Sequence, residues 1–213
     1  MRVAAWAWAA AASLELADGF DWPDAGIGQR TSERVKAGKR ASRHIACSVC
    51  EECVLELFPT QPDAGQIASF LENGELEDAL GDAKKLCEMR SLAQLFRKLR
   101  LEVATRSDGS AELLKVEGKL PFYEEINTSD LVFHWKSFAV QHACAETFRR
   151  DGETIAAAIQ ESLRGIDDAV EAVSAEDLPR RISDATQRGC RLAKTCKRAE
   201  RRSASSEDRA AEL

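Results

Sequence analysis

The chain has 213 residues, 44% of them hydrophobic, enough to bury the core of one domain with tails. Lys and Arg number 30 against 36 Asp and Glu, a net charge of −6 with both signs interspersed, which excludes the basic field of a nucleic-acid binder. No segment approaches the roughly 18 consecutive apolar residues that a transmembrane span requires.

Met1-Arg2 followed by the apolar run Val3 to Ala12 has one positive charge and a short hydrophobic stretch, the pattern of a cleaved secretory signal. Ala10-x-Ala12 satisfies the small-residue cleavage rule, Ala17 is a second possible cleavage point, and residues 1–17 are assigned to the signal. Residues 18–43, rich in Gly, Asp and basic side chains, are expected to form a flexible spacer. Residues 44–198 carry the periodic sequence and are expected to form the domain. Residues 199–213 lose any apolar period and read as a disordered tail.

Within the domain, Val49, Cys50, Cys53, Val54, Leu57 and Phe58 recur at helical spacing, with Glu51, Glu52 and Glu56 between them and Pro59 as the stop. Ile67, Phe70 and Leu71 open a second helical pattern, which Leu76, Leu80, Ala83 and Cys87 resume beyond Gly74. Leu92, Leu95, Phe96 and Leu99 continue it. The period then changes. Leu99, Leu101 and Val103 alternate, Ser107-Asp108-Gly109-Ser110 supplies a turn, and Leu114 and Val116 alternate again, predicting a β-hairpin set among helices. Thr128-Ser129-Asp130 offers N-cap residues for a helix through Leu131, Trp135, Phe138, His142, Cys144, Phe148, Ile155 and Ile159, with Gly152 expected to mark a bend. Pro179 opens a last helix with Ile182, Ala185, Cys190 and Leu192 on its apolar stripe. The fold class is mainly α with one small inserted β-hairpin.

Six of the seven cysteines fall in an ordered pattern: Cys47-x-x-Cys50, Cys87, Cys144 and Cys190-x5-Cys196. Six cysteines allow fifteen pairings, so spacing leaves the connectivity open. The expected arrangement is nested: Cys47 with Cys196, Cys50 with Cys190, and Cys87 with Cys144, because residues three apart share a helix face and can meet a second pair on a neighbouring helix. In the chain-entropy account the Cys50 to Cys190 link is worth roughly 5 kcal/mol and the outer link only about 2.7 more. Cys53 is left as the free thiol. Disulfides persist in the secretory pathway and are rare in cytosol, which agrees with the leading apolar run. Asn127-Thr128-Ser129 is a candidate glycosylation acceptor.

Sharper chemical readings were weighed against structural ones. Cys47-Ser-Val-Cys50 and Cys50-Glu-Glu-Cys53 are overlapping CxxC motifs, but no βαβ pattern surrounds them, and Glu51 and Glu52 oppose thiolate formation; structural disulfides are favoured over redox chemistry. His44, Cys47, Cys50 and Cys53 are close enough in sequence to ligate zinc, yet disulfide formation competes for the same sulfurs, and no metal or other cofactor is expected. His134, Trp135 and His142 read as packing groups. No Ser/His/Asp set, phosphate loop or carboxylate pair has local support, so no catalytic residue is assigned. Lys194, Lys197, Arg198, Arg201 and Arg202 read as a solvated face rather than a contact for an acidic partner.

Taken in order, these motifs resemble the canopy family of saposin-like lumenal proteins of the endoplasmic reticulum. Cys47-Ser-Val-Cys50 is similar to the opening CxxC, and Lys85-Leu86-Cys87-Glu88-Met89 to the third-cysteine helix. Arg100 to Gly118 resembles the inserted hairpin, Phe138 to Glu146 the fourth-cysteine helix, and Cys190 with Cys196 the closing pair. The resemblance covers about residues 43 to 198. It implies a saposin-like set of disulfide-linked helices and a non-catalytic co-chaperone or adaptor, whose partners are secretory or receptor clients and a larger lumenal chaperone. The rival implied by such helices is lipid binding. Three features depart from the family: the segment between Cys50 and Cys87 is short, Cys53 is extra, and Ala210-Ala211-Glu212-Leu213 keeps only the last two residues of a lumenal retrieval signal. The expected location is therefore the endoplasmic reticulum lumen or the secreted space.

Overall fold

The computed structural model describes residues 28–106, 110–117, 135–164 and 177–198. The first helix, α1 (Gly28–Leu55), begins well before the first cysteine. This corrects the spacer expected over 18–43, which is helical from Gly28 onward. Gly38, Ala41, Ser42, Ile45, Ala46, Val49, Cys50, Cys53 and Val54 are all buried and recur every three or four residues, so one stripe runs through the polar segment into the cysteine region. Its early members are small rather than apolar. A Cβ at Gly38 would lie 3.0 Å from the Trp135 carbonyl oxygen and would also meet the Phe138 ring, so the backbones there approach closely only because no side chain intervenes.

Three short helices follow: α2 (Ala64–Glu72), α3 (Glu75–Gly81) and α4 (Ala83–Leu86). Asp63 Oδ1 accepts from Gln66 N at 2.8 Å and Asp82 Oδ1 from Lys85 N at 3.0 Å, each side chain satisfying an otherwise orphaned amide at a helix start. Gly74, at φ 73°, provides the left-handed turn between α2 and α3. Helix α5 (Met89–Leu99) buries Leu92, Ala93, Leu95 and Phe96 and ends at Arg100, itself left-handed at φ 55°.

Strands β1 (Leu101–Thr105) and β2 (Ala111–Lys115) then form an antiparallel hairpin, pairing Leu101 with Lys115, Val103 with Leu113 and Thr105 with Ala111. The expected alternation on β2 is displaced by one residue. Residues directly opposite share a face, so Ala111 and Leu113 join Val103 on the core side while Leu114 is 43% exposed. Val116 is buried as predicted, but lies just past the strand, where its N–H donates to the Arg100 carbonyl at 2.8 Å and its own carbonyl accepts from Arg100 Nε at 3.1 Å.

Helix α6 (Trp135–Leu163) is the centre of the fold, packing against α1, α3 and α7 (Asp177–Leu192), and less extensively against α4 and α5. Its buried residues include Phe138, Cys144, Phe148, Ile155 and Ile159. Full burial of each of these large apolar side chains contributes roughly 1.5–3 kcal/mol of transfer free energy. The helix is not interrupted at Gly152: that residue lies where α3 crosses, and a Cβ there would fall 2.6 Å from the Leu80 carbonyl oxygen. Lys136, at the start of α6, pairs with Glu102 on β1, and both side chains are largely shielded from water.

Helix α7 buries Leu178, Ile182, Ala185, Thr186, Gly189 and Cys190. Pro179 falls in its first turn, where a missing N–H leaves no hydrogen bond unmade. Leu192, expected on the apolar stripe, is instead 46% exposed at the end of the helix. The chain bends at Ala193 and makes one further helical turn over 194–198.

Candidate functional site

Helix α1 presents Cys47, Cys50 and Cys53 on successive turns, and α7, packed against it, supplies one partner sulfur. Cys50 is bonded to Cys190 of α7, with Cα atoms 5.9 Å apart, and Cys87 to Cys144 of α6, with Cα atoms 5.6 Å apart. These two links follow the predicted connectivity. The third does not: Cys47, Cys53 and Cys196 lie outside both disulfides. A Cys47–Cys196 link requires the face of the last helix to continue past Cys190. The bend at Ala193 breaks that continuity, and Asp151 Oδ2 accepts from Lys194 N at 2.9 Å, starting a new turn in which Cys196 is buried while Cys47 remains half-buried on α1. Iodoacetamide is therefore expected to label Cys47 first in the native protein, and three residues in total after denaturation without reductant, counted by intact mass.

Cys53 is buried with its Sγ 3.9 Å from that of Cys144. Burial, followed by the nearby Glu52 and Glu56 charges, pushes its pKa up to about 12. The protonated thiol is a poor nucleophile, so it sits beside the Cys87–Cys144 disulfide without attacking it. The overlapping CxxC motifs are thus divided: Cys50 is committed to a distant partner, and Cys53 is held as a thiol. The folded state retains the Cys53 proton where the unfolded chain, titrating near 9.0, releases it. Stability from this group is full below the unfolded pKa and falls as pH rises toward the folded value. Between about pH 8 and pH 10 the wild type should lose about 1.4 kcal/mol more than Cys53→Ala, measured by urea unfolding at the two pH values.

A polar pocket of 410 Å³ lies between α1, α6 and the turn over 194–198. Arg43 comes from α1, His142, Glu146 and Arg150 from α6, and Thr195 and Arg198 from the final turn. Ser42, only 3% exposed, forms part of the wall. Its hydroxyl donates to the Lys39 carbonyl at 3.0 Å and also lies 3.2 Å from His142 Nδ1, a contact whose direction is set by the imidazole tautomer. Burial lowers the His142 pKa; Glu146 opposes that shift, and Lys39, Arg43 and Arg149 reinforce it. Thr147 and Thr195 hydroxyls meet at 2.9 Å, so the final turn is pinned to α6 both there and at Asp151.

Sequence reading treated His142 as a packing group and placed Ser42 and Arg43 in a spacer; it did not single out Arg150 or Thr195. The signal that could have joined them is the small-residue series Gly38, Ser42 and Ala46, one helical turn apart, which extends the packed face of α1 toward its N-terminus. His44, the remaining member of the zinc set, belongs to no metal-binding group: among the described residues no three His, Cys, Asp or Glu side chains converge in this way. The candidate signal at 1–17, Asn127, His134, Arg201, Arg202 and the tail over 199–213 lie outside the described residues. No described helix is long and apolar enough to cross a membrane. Comparison with protein-family models, curated proteins and solved structures finds no match.

Proposed function

We propose that this chain is a non-catalytic adaptor of the secretory pathway that assists the folding or maturation of receptors or secreted proteins beside a larger lumenal chaperone. The observation that carries this reading is the pair of core disulfides, Cys50–Cys190 and Cys87–Cys144, which suit an oxidising compartment and are built into the packing rather than exposed for turnover. The leading apolar run and the ordered motifs that resemble canopy proteins lend support from the sequence. A closed body also favours protein contact over lipid wrapping. Among the described residues the exposed large hydrophobics are Leu114 and Leu192, which belong to different elements, so the described surface offers little apolar area to an acyl chain.

The test is a pulse-labelled pull-down of the tagged full chain from cells whose thiols are blocked at lysis. The adaptor reading expects both disulfides intact and capture of immature, endoglycosidase-sensitive receptors that are released as they mature. A reduced, cytosolic product contradicts it. So does failure to capture maturing proteins combined with liposome co-flotation that increases at acidic pH, the outcome expected of a lipid binder.

A further inference from the structure

The geometry points to the pocket between α1, α6 and the final turn as a binding site for a dianionic oxyanion, a phosphate or sulfate group carried on a small molecule. Three arginines, Arg43, Arg150 and Arg198, line this pocket from three separate segments. Glu146 is the single carboxylate among its described lining residues and engages Arg149 at 2.8 Å and Arg150 at 3.2 Å. Three positive charges against one negative leave a local surplus of two on a chain whose net charge is −6. Like charges brought together by folding are destabilising unless something neutralises them, and a dianion matches the surplus. Planar guanidiniums present paired donors that suit tetrahedral oxyanions.

The polar wall between the exposed arginines is held in place. Ser42 is held by Lys39 and His142, Thr195 by Thr147, and the turn carrying Thr195 and Arg198 by Asp151. The 410 Å³ volume exceeds what one phosphate or sulfate fills, which leaves room for the molecule that bears it. His142 adds a pH response. Protonating its imidazole places a third surplus charge beside the ligand. The charged groups that act on it are Lys39 and Arg43 from α1 and Glu146 and Arg149 from α6, and Arg150 of α6 and Arg198 of the final turn share its pocket.

A second basic pocket of 330 Å³, lined by Arg164, Arg181, Asp184 and Arg188, provides an internal control for unspecific charge. Titration of the full chain with sulfate, inorganic phosphate and a hexose phosphate, followed by calorimetry at constant ionic strength against chloride, tests the proposal. Saturable binding is expected, tighter for the hexose phosphate if the remaining volume is used. Arg43→Gln with Arg198→Gln should weaken it at least about tenfold, the loss of about 1.4 kcal/mol of contact, while Arg181→Gln with Arg188→Gln leaves it unchanged. Thermal unfolding confirms that both double variants remain folded. Sulfate stays dianionic throughout, so its affinity should rise as pH falls below 6.5, the ordinary imidazole value from which burial lowers His142, and His142→Gln should flatten that rise. No saturable binding of any of the three anions, or equal weakening by both double variants, overturns the proposal.

Discussion

Replacing Cys50 and Cys190 together by Ala is expected to remove about 5 kcal/mol of stability, the largest effect of any disulfide change in this chain. The link joins residues separated by 140 positions and closes most of the described structure into one loop. In the chain-entropy account the cost of leaving so long a loop open in the unfolded ensemble is roughly 5 kcal/mol, against roughly 4 for the 57-residue separation of Cys87 and Cys144. Domains of this size are typically stable by about 5–15 kcal/mol, so losing the first link alone brings the protein close to its unfolding threshold. Both sulfurs also fill core space between α1 and α7, so cavity terms add to the entropic loss. Cys47→Ser, at a half-buried position outside both disulfides, should shift the urea midpoint little by comparison. Equal losses from the two changes would mean that Cys47 shares in the restraint.

Gly152→Ala should destabilise by about 1–3 kcal/mol, the reverse of what helix propensity alone predicts. At an exposed mid-helix position the same change stabilises by roughly 0.5–1 kcal/mol, because alanine has less backbone freedom to lose. Here the added methyl would meet the carbonyl oxygen of Leu80 at 2.6 Å, and Leu80 itself is fully buried. The clashing atom belongs to a backbone rather than to a flexible side-chain tip, so α3 must move away from α6. Leu76 and Leu80, both completely buried, would lose contact as it does. A lower thermal midpoint for Gly152→Ala, with Gly81→Ala at an open site as the comparison, checks the sign. A higher midpoint for Gly152→Ala would mean that the helix crossing is looser than described.

The elements most legible in the sequence are those whose buried face is made of large apolar residues. The stripes Leu92, Leu95 and Phe96 on α5, and Phe148, Ile155 and Ile159 on α6, repeat at the helical period and are buried accordingly. The change to alternation after Leu99 located the hairpin, but consecutive Leu113 and Leu114 offered two registers, and only pairing with Val103 selects Leu113 for the core. The first half of α1 was illegible for a different reason. Gly38, Ala41 and Ser42 make a packing face by being small, so their burial reflects the close approach of α6, a tertiary fact with no hydrophobic signature. That same misreading hid the pocket, since Ser42 and Arg43 were assigned to a spacer.

The cysteines divide along similar lines. Cys50 and Cys190 lie within continuous helices, where face arguments hold, and the predicted link is present. Cys196 follows a bend fixed by Asp151, 43 positions earlier in the chain, and local spacing could not anticipate that contact. His142 was correctly read as a partly buried group, but its hydrogen bond to Ser42 spans 100 positions and becomes visible only when α1 and α6 are packed.

Peptide mapping of the unreduced protein, isolated from its own cells with thiols blocked at lysis, tests the central claim most directly. The account predicts two cross-linked pairs, one joining the Cys50 peptide to the Cys190 peptide and the other joining Cys87 to Cys144, with blocked thiols at Cys47, Cys53 and Cys196. Cross-links that place Cys53 in either pair, or peptides in which Cys50 and Cys190 both carry the blocking group, would contradict it.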